Sequence, residues 1–287
     1  MSGRLTQHAA QAALRLRGFR SRTLLTSVGQ VHLIEARGEG SLPTLVALHG
    51  LSSAGFHYYP FLRLMRPRVR HLVAMDLPGH GLSDVPPQGL TPATMREGLY
   101  GAFEKLIRPH EKVILFGNSL GGLVALRYAL LRPERLHALV LFSPGGAMMT
   151  DEELEDIRHS FHFPTHEAAL AFVDRLFVRP SRLRHLFAWG VRQTFGPPHI
   201  QQLVSHLKND SMLREDELAA LAVPTLLLWG EHDRILPMTN LEYFRRALPA
   251  HAKVEVHKGA GHTPFLEGVD SIAARVLEFL EDVVGGK

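Results

Sequence analysis

Val113-Ile-Leu-Phe-Gly-Asn-Ser-Leu-Gly-Gly122 is the stretch whose reading decides the fold. Val113 to Gly117 are apolar or small, the pattern of a buried strand, and an apolar run from Leu123 to Leu131 reads as a helix. Between them lies Gly117-Asn118-Ser119-Leu120-Gly121, a G-x-S-x-G in a strand, turn, helix context. Such an abrupt turn strains its central residue and pushes the Ser119 hydroxyl out above the sheet. Side chains at positions 117 and 121 would strike the neighbouring backbone, which accounts for a glycine at each. Ser119 is therefore a candidate nucleophile.

Outward from this stretch, strands and helices alternate. Arg20–Val28 and Val31–Arg37 read as half-buried strands around Gly29, a hairpin at a sheet edge. Thr44–Leu48 and Val69–Met75 are continuous apolar strands, with a helix over Tyr58–Leu64 between them. A helix over Thr94–Ile107 leads into the central stretch, and Leu136–Phe142 forms the strand after it. Pro224–Trp229 and Val254–Val256 continue the sheet, with helices over Met238–Ala247 and Ser271–Val284. Strands separated by helices imply a parallel sheet with right-handed crossovers, an α/β fold. From about 145 to 220 the pattern turns helical; Thr150 with Glu153 makes a capping box, and Glu167–Phe177 and Arg182–Ala188 continue the helical pattern. Residues 1–18 read as a loosely docked terminal helix.

The bulk composition narrows the classes. The chain has 287 residues, 45% of them hydrophobic and 21% charged, enough for one large domain with an insertion. It has no cysteine, which excludes disulfides, thiolate metal sites and a cysteine nucleophile. The net charge of +4 comes from interleaved acids and bases with no basic stripe, so no nucleic-acid partner is expected. The 18 histidines are scattered and include no H-E-x-x-H, so neither a metal nor another cofactor is expected. No run is apolar enough to span a bilayer and no leader pattern is read, from which a cytoplasmic location is expected.

With these elements in place the chain resembles the α/β-hydrolase superfamily over most of its length. Besides the G-x-S-x-G turn, the likeness is carried by His49-Gly50-Leu51 after a central strand and by Asp76-Leu-Pro-Gly-His-Gly-Leu-Ser83 after the fourth. Gly230-Glu-His-Asp233 and the Gly259-Ala-Gly-His262 loop complete it. The resemblance implies a mostly parallel central sheet flanked by helices and interrupted by a helical cap. The core would occupy residues 1–144 and 221–287, and the cap residues 145–220. It implies catalytic roles for Ser119, Asp233 and His262, in the order Ser…Asp…His, with His262 as base and Asp233 as its orienting acid. The backbone N–H groups of Leu51 and Leu120 would form the oxyanion hole. Glu231 is the rival acid. Asp76 is expected to brace its own loop through backbone hydrogen bonds, and His49, His251 and His257 to be structural. Of the cap residues, Phe161, Phe163, Phe172, Phe177, Leu186, Phe187 and Trp189 are expected to divide between packing the cap down and lining a pocket.

The nucleophile selects among chemistries. Haloalkane dehalogenases and epoxide hydrolases of this superfamily carry Asp at the turn, and cofactor-free perhydrolases carry Trp-Pro after His-Gly, where this chain has Leu51-Ser52. The expected reaction is carboxylic ester hydrolysis through an acyl-enzyme, of the esterase or lipase type, with a small-molecule ester or acyl substrate. Gly117-Asn118-Ser119-Leu120-Gly121-Gly122 also matches the carbon–carbon hydrolases of meta-cleavage products, whose His-Gly-x-Gly-Pro-Gly loop differs from His49-Gly50-Leu51-Ser52-Ser53-Ala54 here. A non-catalytic ligand receptor is the third reading. An apolar cap would permit contact with a lipid interface. Nothing in the sequence reports the oligomeric state.

Overall fold

A computed structural model describes residues 2–284, with side chains from Ala9 onward. A helix α1 (Ser2–Arg15) precedes the edge hairpin of β1 (Arg20–Thr26) and β2 (Gly29–Arg37). The core continues through β3 (Leu45–Leu48), α2 (Tyr59–Met65), β4 (His71–Met75), α3 (Pro92–Leu106), β5 (Val113–Ser119), α4 (Leu120–Leu131) and β6 (Leu136–Pro144). Five helices follow without a strand: α5 (Asp151–Ser160), α6 (His166–Leu176), α7 (Arg184–Phe195), α8 (Pro198–Ser205) and the short α9 (Glu215–Ala219). Then β7 (Thr225–Gly230), α10 (Met238–Ala247), β8 (Lys253–His257) and α11 (Val269–Val284) complete the described chain.

The strands form one eight-stranded sheet in the order β1-β2-β4-β3-β5-β6-β7-β8. Only the β1–β2 and β2–β4 pairings are antiparallel; from β4 to β8 all neighbours run parallel. Alternate residues of the central strands feed two separate apolar layers, as a period of two requires. Val46, Leu48 and Leu115 pack with α3, α4 and α10 on one face. Leu45, Ala47, Ile114 and Phe116 pack with α2 and α11 on the other. Burial on both faces is what makes these strands read as unbroken apolar runs.

Local chemistry sets the helix boundaries. Thr91 caps α3 by accepting from the Thr94 N–H, so the helix starts at Pro92, two residues before the expected Thr94. The Thr150–Glu153 capping box forms as expected and starts α5 at Asp151. Among the described residues no helix is long and apolar enough to cross a membrane.

The helical stretch between β6 and β7 joins the first apolar layer through Ile157, Phe161, Phe172, Phe195 and Leu203. Part of the expectation for its aromatic residues fails. Leu186 and Trp189 are 59% and 49% exposed and do not pack the stretch down, while Phe187, 36% exposed, lays its ring against Phe177 within the helices.

Candidate active site

The parallel strands end on one edge of the sheet, where open α/β sheets place their sites. Each candidate residue leaves a carboxyl end there: Leu51 after β3, Ser119 at the end of β5, Asp233 after β7 and His262 after β8. At the β5–α4 turn Ser119 adopts φ 53° and ψ −121°, a conformation that a non-glycine residue holds only where its surroundings enforce it. Those surroundings are specific. A Cβ at position 117 would lie 2.6 Å from the Gly121 carbonyl oxygen, and one at 121 would lie 2.4 Å from that of Leu48. Both positions admit only glycine, so the turn is as tight as the sequence pattern demands.

The β3 loop passes directly against this serine. A Cβ at Gly50 would come within 3.1 Å of the Ser119 Cβ. His49 holds the loop with both ring nitrogens: Nδ1–H donates to the Gly50 carbonyl at 2.7 Å, and Nε2 accepts from the Leu77 N–H at 2.9 Å. Burial lowers its proton affinity, consistent with a neutral ring in this structural role. Leu51, Ser119 and Leu120 all border one cavity.

Asp233 and His262 lie in hydrogen-bond contact. The His262 Nδ1–H donates to Asp233 Oδ2 at 2.7 Å, and Oδ1 accepts from the N–H groups of Ile235 and Leu236. Burial opposes ionisation of Asp233, yet the His262 interaction and these two amides outweigh it and hold the carboxyl below its ordinary range. Glu231 turns elsewhere and accepts from the Gly259 N–H at 2.9 Å, which removes it as the histidine's partner. Asp76 accepts from the N–H groups of Gly55 and Leu82 and from His32, bracing its loop.

Asn118, beside the serine, makes a tie that sequence reasoning did not foresee. Its side-chain amide donates to the carbonyls of Phe142 at 2.9 Å and His262 at 3.0 Å, while its oxygen accepts from Tyr58 at 3.3 Å. One side chain thus fastens the serine turn to the histidine loop. No hydrogen bond joins Ser119 Oγ to His262 Nε2 in this structure, a contact that in sites of this kind commonly tightens only around substrate.

The sheet edge is covered by the helical stretch, and the cavity lies between the two. Its volume is about 90 Å³. Met95, Leu123 and Val124 line it from the core, and Leu154, Phe161 and Leu203 from the helices above. Several bonds latch the helices down. Arg234, next to Asp233, donates to the carbonyls of Asp174 and Phe177, and Glu267, five residues past His262, accepts from the Val178 N–H.

Residues 45–275 match the model of the alpha/beta hydrolase family. The chain belongs to that family. The hydrolase is 28% identical over 262 residues to the 2-hydroxy-6-oxononadienedioate/2-hydroxy-6-oxononatrienedioate hydrolase of Escherichia coli, covering 85% of this chain and 88% of that one. It is 24% identical over 263 residues to a monoacylglycerol lipase of Rattus norvegicus, covering 85% and 77%. Among solved structures, that of a bacterial membrane phospholipase A superposes with a TM-score of 0.83 at 26% identity, over 98% of this chain and 93% of that one.

Proposed function

We propose that this hydrolase cleaves carboxylic esters through an acyl-enzyme on Ser119, with the helical stretch acting as a cap over the reaction. The observation that carries the reading is the Asp233–His262 hydrogen bond presented beside a strained serine at the wall of an apolar cavity. In this mechanism His262 takes the Ser119 proton as the hydroxyl attacks the ester carbonyl and returns it to the leaving alcohol. Asp233 holds the imidazole in the tautomer with Nδ1 protonated and stabilises the imidazolium as it forms. The Leu51 and Leu120 N–H groups receive the developing oxyanion, each contributing about 3 kcal/mol. Water then attacks the acyl-enzyme by the same proton route in reverse.

Likeness to a monoacylglycerol lipase and a phospholipase A favours an ester. Likeness to an oxo-dienedioate hydrolase, together with Asn118 and Gly122 at the turn, supports a second reading in which the scissile bond is carbon–carbon beside a ketone. Hydrolysis of p-nitrophenyl esters from acetate to palmitate separates them. Turnover that disappears in Ser119→Ala is the expected result, and full activity in that variant removes Ser119 from the role. Absence of ester turnover, with bleaching of a yellow vinylogous dienolate, moves the assignment to carbon–carbon cleavage. Failure of a fluorophosphonate to label the protein favours a ligand receptor.

A further inference from the structure

The cavity beside Ser119 is mostly apolar, and two cations border it. Arg96 on α3 and Arg127 on α4 are the charged residues of its wall. Neither has a carboxylate within ion-pair distance among the described residues, whereas Arg132 and Arg158 on the neighbouring surface do. Arg127 donates to the backbone carbonyls of Ser211 and Met212 at 2.8 and 3.1 Å, and the Arg96 side chain bonds to no protein group. Burial, then the Arg96 charge, lowers the proton affinity of Arg127, while the Glu217 carboxylate and Tyr100 act in the opposite sense. Two like charges held near each other on an apolar wall are unfavourable unless an anion joins them.

A second, independent feature opens on the same cavity. Asn240 on α10 is 1% exposed, and neither its amide nitrogen nor its oxygen has a hydrogen-bond partner in the protein. Such a group is costly to bury unpaired. Tyr243, one turn later, donates to the Leu213 carbonyl at 2.7 Å, so α10 and Arg127 grip the same 211–213 segment from two sides.

Helix α4 supplies the distance scale. Leu120, Leu123, Val124 and Arg127 recur at the spacing of one helix face, and all four border the cavity. Eight residues separate Ser119 from Arg127, which is about 12 Å along the axis, or roughly the length of eight to ten extended methylenes. We propose that Arg96 and Arg127 bind an anionic head group, with Asn240 bonding a polar atom of the same ligand. The substrate is then an amphiphilic acyl compound with a carboxylate or phosphate at the far end of an apolar spacer. Arginine suits either anion through paired N–H donors. This inference rests on Ser119 marking the reacting end.

Binding to the full-length Ser119→Ala protein tests it without requiring turnover. Calorimetry would compare the monomethyl esters of six- to twelve-carbon α,ω-diacids with the neutral dimethyl esters of the same lengths. Tighter binding of the monoester, by about tenfold or more near the matching length, is expected, with loss of that preference in Arg96→Met and in Arg127→Met. A monoalkyl phosphate of the same length distinguishes the sources: tighter binding than the carboxylate assigns a phosphate head, weaker binding a carboxylate head. Equal affinity of monoester and diester, or a preference that survives both arginine substitutions, overturns the proposal. Arg127→Met also releases two backbone carbonyls, so if it does not fold Arg96→Met decides alone. Failure of the ester reading would appear elsewhere, as p-nitrophenyl ester turnover that persists in Ser119→Ala.

Discussion

Two buried aspartate–histidine pairs in this chain share the same 2.7 Å bond between Oδ2 and Nδ1: Asp233 with His262, and Asp76 with His32. The second pair even has a serine in place, since Ser21 Oγ lies 2.8 Å from His32 Nε2. By distances alone Ser21, His32 and Asp76 make the more complete relay. The surroundings separate them. Gln11 donates to Ser21 at 3.0 Å and also lies 2.8 Å from His32 Nε2, so both atoms are committed to structure. Ser21 sits within the edge strand β1, away from the cavity, and its backbone lacks the positive φ of Ser119. Asp76 also accepts from two backbone amides that fix the turn after β4. A hydrogen-bonded triad becomes a reactive centre only with an exposed nucleophile, oxyanion donors and room for a substrate.

The largest expected effect is the difference between the two serines. Ser119→Ala should abolish fluorophosphonate labelling and reduce ester turnover roughly a millionfold, towards the residual rate left by binding alone. Ser21→Ala should leave labelling intact, as read by mass spectrometry of the labelled peptide. A labelled Ser21 would overturn the distinction.

The two aspartates should then divide between chemistry and stability. Asp233→Asn is expected to lower kcat by about 10⁴ through the wrong imidazole tautomer, with KM little changed. Asp76→Asn is expected to destabilise the fold by about 3 kcal/mol in urea denaturation, because a buried hydrogen-bonded charge is removed from its partners. Comparable kcat losses in both variants would mean that the pairs are not distinct. A smaller effect is expected at Asn118. Asn118→Ala frees the carbonyl of His262 and should cost roughly 10- to 100-fold in kcat while labelling persists more slowly, since the histidine loop loses its tie to the serine turn.

Much of this contrast was legible in the residues. The turn at Ser119 could be read because Gly117 and Gly121 are there for steric reasons that hold in any such turn, and the capping box at Thr150 because its bonds are local. The strands β3 to β7 were readable because burial on both faces leaves an unbroken apolar run. Pairings across long separations were not. Nothing local to Asn118 announces a bond to His262, 144 residues away. Nor does composition tell which apolar side chains of a helix face outward, as Leu186 and Trp189 do, or which arginines face inward, as Arg127 does. The two aspartate–histidine pairs are alike in chemistry, and only the fold sets one of them beside a strained serine at a cavity wall.

The smallest expected effect concerns pH, and here the bracing end of the molecule should respond before the candidate active site. His80, four residues past Asp76, is buried, with Nδ1–H donating to the Pro78 carbonyl at 3.0 Å. Burial, then the nearby His49, lowers its pKa to about 3. The folded state therefore favours the neutral ring, and the unfolded chain binds the proton more readily. The stability this contributes is complete above the unfolded value of about 6.5 and is lost as pH falls from there toward 3. The Asp233 and Asp76 carboxyls are both held low, so their contributions persist until the pH passes below the ordinary carboxylate range. Between pH 7 and 5 the buried histidines dominate, each fully buried ring contributing up to about 2 kcal/mol, and His57, lowered by burial to about 4, acts beside His80. Urea denaturation at both pH values should show the wild type losing stability, and His80→Gln losing less by about that amount. Part of the loss should remain in the variant because His49 and His57, also lowered in proton affinity by burial, stay in place. Equal losses in the two proteins would show that His80 is not the group that senses acid, and would assign the early loss of stability to the other buried histidines, His49 and His57.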